Sequence, residues 1–169
     1  MPTTTRADIN DFLAQQRLAM VGVSRNAKDF SRTLFRDLCA RNYDMVPVNS
    51  LAREVEGKTC FPRVQDIAPP VGGALLMTAP AKMERAVHDC ADAGIRRVWM
   101  YRAGGPAAVS SEMIEFCKKN NIRLVAGYCP YMFFAGTQFI HRLHGFFLRL
   151  TGGYPGKPAT SAPCSNAGR

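Results

Sequence analysis

Leu18-Ala-Met-Val-Gly-Val-Ser24, followed by Arg25 and a helical run from Phe30, is an apolar strand that empties into a glycine turn and then a helix. Nucleotide-binding α/β domains open in this way, because the turn's N–H groups and the positive end of the helix suit an anion. The three-glycine dinucleotide fingerprint requires glycine two and five positions after the first, where this chain has Ser24 and Ala27. Gly22 stands alone, which favours a phosphate but weakens the case for a dinucleotide.

Working outward, a helix is expected upstream over Asp8 to Gln16, with Ile9, Phe12 and Leu13 on one face. Downstream, Leu34, Phe35 and Leu38 give helical spacing over Ser31 to Arg41, and Asn42 is a left-handed stop before a second strand, Tyr43 to Val48. Ala52 to Pro70 reads as a loop with a short strand near Cys60 and a helical turn at Val64 to Ile67. Strands at Val71 to Thr78, Ile95 to Tyr101 and Ile122 to Ala126 alternate with helices from Pro80 to Gly94 and from Pro106 to Asn120. Strands alternating with helices predict right-handed crossovers and a doubly wound parallel sheet over residues 1–130.

Composition sets the bounds. The 169 residues, 47% apolar, suffice for one core and leave no room for a second catalytic domain. The longest apolar runs fall short of a membrane span, and the N-terminus does not resemble a secretory signal, so a soluble cytoplasmic protein is expected. Six cysteines without a Cys-x-x-Cys pair fit a reducing compartment. The net charge of +9 favours anionic ligands, but there is no run of five Lys/Arg and no nucleic-acid motif, so nucleic acid is not the expected partner. Metal and catalytic signals are thin: His141 and His144 lack neighbouring ligands, His88 reads as a surface residue and no serine nucleophile elbow occurs. No catalytic or metal residue is assigned.

Open parallel sheets bind ligands at the carboxyl ends of their strands, where strand order reverses. Five loops are thereby nominated, carrying Gly22, Val23, Ser24 and Arg25; Asn49 and Ser50; Thr78, Ala79 and Pro80; Arg102 to Gly105; and Cys129 with Pro130. At the first, N–H groups of the turn and of the helix start around Ser31 can hold a phosphate, with Arg25, Lys28 and Arg32 nearby. The second argues against NAD, since Pro47-Val48-Asn49-Ser50 has no acid to bind ribose hydroxyls and Asp44 opens the strand instead of closing it.

Beyond the sheet, Phe139, Leu143, Phe146, Phe147 and Leu150 recur at helical spacing, so an aromatic amphipathic helix is expected within 131–151 and a disordered Gly/Pro/Ser-rich tail over 152–169. That helix could pack on the sheet, form a homodimer face or, least favoured, rest on an anionic membrane.

The residues taken together resemble a known family. Ala19 to Arg25, Tyr43-x-x-Val-Pro-Val-Asn49, Gly57 with Cys60-Phe61-Pro62, Asp66-Ile67, Trp99 and Cys129-Pro130 are similar to the stand-alone CoA-binding proteins and to the CoA-binding domain of the succinyl-CoA synthetase alpha subunit. The resemblance, over roughly Phe12 to Pro130, implies a Rossmann-like domain holding CoA or an acyl-CoA. It implies phosphates near Gly22 to Arg25, further contacts at Asn49, Ser50, Thr78, Ala79 and Pro80, and a pantetheine arm near Cys129-Pro130. Ser50, Arg63-Val64 and Gly72-Gly73 depart from the family's frequent residues at the pocket rim. The synthetase chemistry does not carry over, because its phosphorylated histidine lies in a following domain. The implied role is a non-enzymatic binding or regulatory module. Two alternatives stand beside it: an NAD(P)-dependent oxidoreductase or redox sensor, with Arg25 or Arg53 meeting a 2′-phosphate, and a scaffold docking through its aromatic helix.

Overall fold

The computed structural model describes residues 4–101 and 109–134. Its elements are α1 (Arg6–Leu13), β1 (Arg17–Val21), α2 (Phe30–Ala40), β2 (Asp44–Val48), β3 (Glu54–Val55), β4 (Lys58–Thr59), a 3-10 turn at Val64–Asp66, β5 (Gly73–Leu76), α3 (Pro80–Asp92), β6 (Arg97–Met100), α4 (Ser111–Lys119), β7 (Arg123–Ala126) and a 3-10 turn at Pro130–Met132. Five strands form one parallel sheet in the order β2-β1-β5-β6-β7. The chain is therefore the expected α/β, Rossmann-like, doubly wound fold, and its strand order reverses between β1 and β5.

Alternation along the strands divides the core. Ala19, Leu76, Val98 and Met100 face α3, α4 and the Val64–Asp66 turn, whereas Leu18, Met20, Leu75 and Trp99 face α1 and α2. Both faces are covered, as a parallel sheet requires. On the α1 side, Trp99 is fully buried, meets Phe12 edge-on at 5.3 Å and donates its indole N–H to the Tyr128 carbonyl at 2.8 Å. The buried indole thus keeps a partner while filling the layer.

Local chemistry accounts for several boundaries. Thr5 caps α1 and Asp8 completes a reciprocal capping box, so the helix begins at Arg6, before Asp8. Ser110 caps α4, which starts at Ser111 rather than Pro106; residues 102–108 lie outside the described residues. Asn42 adopts the expected left-handed conformation, with φ 66°. In the stretch read as a loop with a short strand near Cys60 and a helical turn at Val64 to Ile67, β4 is that strand and the 3-10 turn covers Val64–Asp66. β3 pairs with β4 in an antiparallel hairpin whose turn, Glu56-Gly57, is left-handed at both positions. Such a turn matches strand twist, and each strand, at two residues, is too short to alternate visibly.

Cys60, Cys90 and Cys117 are buried, and Cys39 and Cys129 half-buried, all as free thiols. Desolvation pushes the Cys90 thiol up to about 12, with Asp89 adding to the effect, and Cys117 to about 11. Neither forms a thiolate at neutral pH. Tyr131 and Met132, the described start of the expected helix, lie instead in the Pro130–Met132 3-10 turn, and with Phe133 and Phe134 they pack on the α1/α2 side, Phe133 5.7 Å from Trp99. The remainder of the expected C-terminal helix, His141, His144, Cys164 and the tail all lie outside the described residues.

Candidate functional site

Gly22 sits at the strand-order reversal. Its φ is +87°, and a Cβ built on it would lie 2.8 Å from Thr78 Cγ2 and 3.0 Å from the Thr78 backbone nitrogen. The ends of β1 and β5 therefore touch, and only glycine satisfies both the left-handed backbone and the close approach. This contact brings together two of the loops nominated from the sequence.

The end of β2 joins them. Asn49 donates its side-chain amide to the Val23 carbonyl at 2.8 Å and accepts from the Leu51 N–H at 2.8 Å, tying the second loop to the glycine turn. Phe61 continues the sheet edge through a parallel bridge to Val48, with Asn49 N–H donating to its carbonyl at 2.9 Å. That bridge carries Pro62, Arg63 and Val64 over the strand ends.

The space so enclosed is a cavity of about 360 Å³. Of the nominated residues, Gly22, Asn49, Ser50 and Thr78 line it. Val21, Val48, Val64 and Ala86 supply apolar walls, while Arg63, Lys82, Arg85 and Asp89 supply charge. Arg63 was noted in the sequence only as a departure at the pocket rim, and Lys82, Arg85 and Asp89 were missed. Lys82 and Arg85 have the spacing of an ordinary solvated helix face, and the Arg63 segment reaches the site only through the Phe61 bridge. Asp89 accepts from Arg85 Nε and from Gln65 Nε2, each at 2.9 Å, so its charge is held at the wall. Pro80 lies elsewhere, lining a smaller cavity of about 150 Å³ with Met83, Met100 and Met113. Ala79 precedes it as the residue ahead of α3 and gives that helix no side-chain cap.

The basic cluster at the turn separates into two roles. Arg32 donates to Glu56 at 2.6 and 2.9 Å and to the Ser24 carbonyl at 3.2 Å, fastening the turn to the β3–β4 hairpin. Hydrogen bonding from Arg32, with Arg36 in support, holds the Glu56 carboxyl below the usual range. Arg25 and Lys28 are exposed, and neither side chain has a partner among the described residues. Ser31 is buried; its hydroxyl accepts from Ser24 N–H at 2.9 Å and donates to Asp29 at 2.6 Å. The Ser31 N–H goes to Asp29 at 2.8 Å, so the α2 start is capped by its own acid. Val23 is buried beneath the turn, with its side chain on the α2 side of the sheet.

Cys129 and Pro130 follow β7 on the α1/α2 side and do not line the 360 Å³ cavity. Tyr131 beside them donates to Asp37 of α2, and its ring lies 5.9 Å from that of Phe30. Burial raises the Cys129 thiol, opposing thiolate formation. His88 is half-buried against Phe116, ring centres 3.9 Å apart, and bridges α3 to α4. Among the described residues there is no group of three or more His, Cys, Asp or Glu able to hold a metal ion, and no helix long and apolar enough to cross a membrane.

Comparison with known proteins bears on the family and the fold. The profile of the CoA binding domain family matches residues 16–135. An ADP-forming acetate–CoA ligase of Methanocaldococcus jannaschii is 21% identical over 116 residues, covering 66% of this chain and 16% of the ligase. A hypothetical protein from Pyrococcus horikoshii OT3 superposes with a TM-score of 0.67 at 25% identity, covering 75% of this chain and 87% of that one. The dinucleotide-forming acetyl-coenzyme A synthetase 1 of Ca. Korarchaeum cryptofilum, solved with phosphate and ADP, gives 0.59 at 22% identity over 66% of this chain and 25% of that one. The chain spans about a sixth of the curated ligase that it matches, and it belongs to the CoA binding domain family.

Proposed function

We propose that this member of the CoA binding domain family binds coenzyme A or an acyl-CoA across the carboxyl ends of β1, β2 and β5, as a binding or regulatory module rather than as an enzyme. The observation that carries the choice of CoA over a dinucleotide is the end of β2. The side chain there, Asn49, is spent on Val23 and Leu51, and Asp44 lies at the opposite end of the strand, paired with Arg17 and Lys58. A ribose diol would find no carboxylate at that position. The turn in turn suits the cofactor's diphosphate: its N–H groups at Val23 and Arg25 have no hydrogen-bond partner among the described residues, and Arg25 extends beside them unpaired. Gly22 and Thr78 both line the 360 Å³ cavity, which takes one end of the ligand beside the turn.

Bound CoA supplies a thiol or thioester. The chain's own groups bind and orient the cofactor, and Cys129, pushed towards its neutral form by burial, is not assigned a covalent role. Free, mostly buried cysteines fit a reducing cytoplasm. Calorimetry with CoA, acetyl-CoA, NAD and NADP tests the reading. CoA or acetyl-CoA should bind with Kd below about 1 mM, with weaker or no response to NAD and NADP. NAD(P) binding without CoA binding overturns it and favours an oxidoreductase or redox sensor.

A further inference from the structure

CoA has two dissimilar ends: a neutral, flexible pantetheine arm, and an adenosine whose flat purine sits beside a 3′-phosphate dianion. The cavity against α3 matches the second. Its walls are apolar, from Val21, Val48, Val64 and Ala86, and its rim carries Arg63, Lys82 and Arg85. Two of those cations already face acids, Arg63 with Asp66 at 2.7 Å and Arg85 with Asp89 at 2.9 Å. Lys82, exposed in the first turn of α3, has no ion-pair partner among the described residues. An uncompensated ammonium beside an apolar slot suits a nucleoside whose ribose carries a phosphate and whose purine fills the slot, whereas the amide arm of pantetheine offers it nothing to neutralise.

We propose that this cavity takes the adenosine end of the cofactor and that Lys82, flanked by Arg63 and Arg85, reads its 3′-phosphate, making the protein selective for CoA over dephospho-CoA. The proposal rests on the CoA reading above and adds the orientation of the ligand and its specificity. The diphosphate then lies over the Gly22 turn, and the acyl-bearing arm runs away from α3. Orientation follows because the turn sits at one side of the cavity and only one end of CoA carries a second phosphate.

The test is calorimetric titration of the full chain with CoA and with dephospho-CoA, for the wild type and for Lys82→Gln. Wild type should prefer CoA by about tenfold or more, the scale of one charge-assisted hydrogen bond. Lys82→Gln should reduce that preference to near unity, and Lys82→Arg should restore much of it. The preference should also shrink as salt is raised, since the rim is exposed. Lys82 is on the surface, so the variant is expected to melt as the wild type does, and thermal unfolding verifies that it folds. Equal wild-type affinity for the two ligands, or a preference unchanged in Lys82→Gln, overturns this proposal and leaves CoA binding standing. No binding of either ligand overturns both.

Discussion

At the scale of the residue, the turn shows how similar side chains divide their labour. Gly22 has to be glycine because Thr78 fills the space a Cβ would occupy, and the left-handed φ adds its own cost to any replacement. Arg25 and Arg32 stand close in sequence with the same guanidinium, yet Arg32 is spent on Glu56 and the turn carbonyls while Arg25 extends free. Their alanine variants should therefore fail differently. Arg25→Ala should leave the unfolding midpoint within about 0.5 kcal/mol of wild type, as most surface changes do, and weaken CoA by about tenfold. It should weaken a dephosphorylated pantetheine fragment far less. Arg32→Ala should lower stability by about 1 kcal/mol, since it releases the hairpin from the turn, with any loss of affinity following from that release. Urea unfolding beside calorimetry separates the two, and equal behaviour of the variants would contradict the assignment.

At the scale of the element, the α1 helix is anchored by a charge arrangement that only the folded sheet explains. Arg97 and Arg123 are register partners on adjacent strands, a pairing of like charges that opposes β6–β7 association. Asp11 of α1 meets both, Arg97 at 2.7 Å and Arg123 at 3.0 Å, and so joins helix to sheet. Hydrogen bonding to Arg97 holds its carboxyl below the ordinary 3.8 despite some desolvation. A carboxyl more acidic when folded stabilises the fold fully above pH 3.8 and loses that contribution as pH falls through the lowered folded value. Asp11→Asn should thus be less stable than wild type by about 1 kcal/mol at pH 7, and the two should converge in acid. Urea midpoints across that range measure it. Such cross-element ties explain which parts were legible in the sequence. The β1 run, the glycine turn and the helical spacing of α2 are local patterns, readable from adjacent residues. Of the β3–β4 hairpin only the short strand near Cys60 was legible, because a two-residue strand carries no alternation to reveal its partner, and the α3 wall of the cavity was not, because Lys82 and Arg85 become site residues only when Phe61 bridges to Val48.

At the scale of the whole molecule, the site lies where the two halves of the sheet meet. β2 and β1 come from one half and β5, β6 and β7 from the other, and the two halves touch at Gly22 and Thr78, which both line the crevice. A ligand spanning β1, β2 and β5 contacts surfaces that exist together only in the folded chain, so its binding free energy adds to global stability instead of to one loop. At CoA concentrations a hundredfold above Kd the gain is about 2.7 kcal/mol, and each further tenfold adds about 1.4 kcal/mol. For a domain of this size, about 2–4 °C of melting temperature accompanies each kcal/mol. The expected shift is therefore roughly 5–11 °C at a hundredfold excess, rising with the logarithm of CoA concentration. Differential scanning calorimetry across a CoA series should give that slope as a single cooperative transition. A transition that splits, with one part moving and the other fixed, would mean that the ligand couples to one half of the sheet and that the crevice at Gly22 and Thr78 is not where it binds.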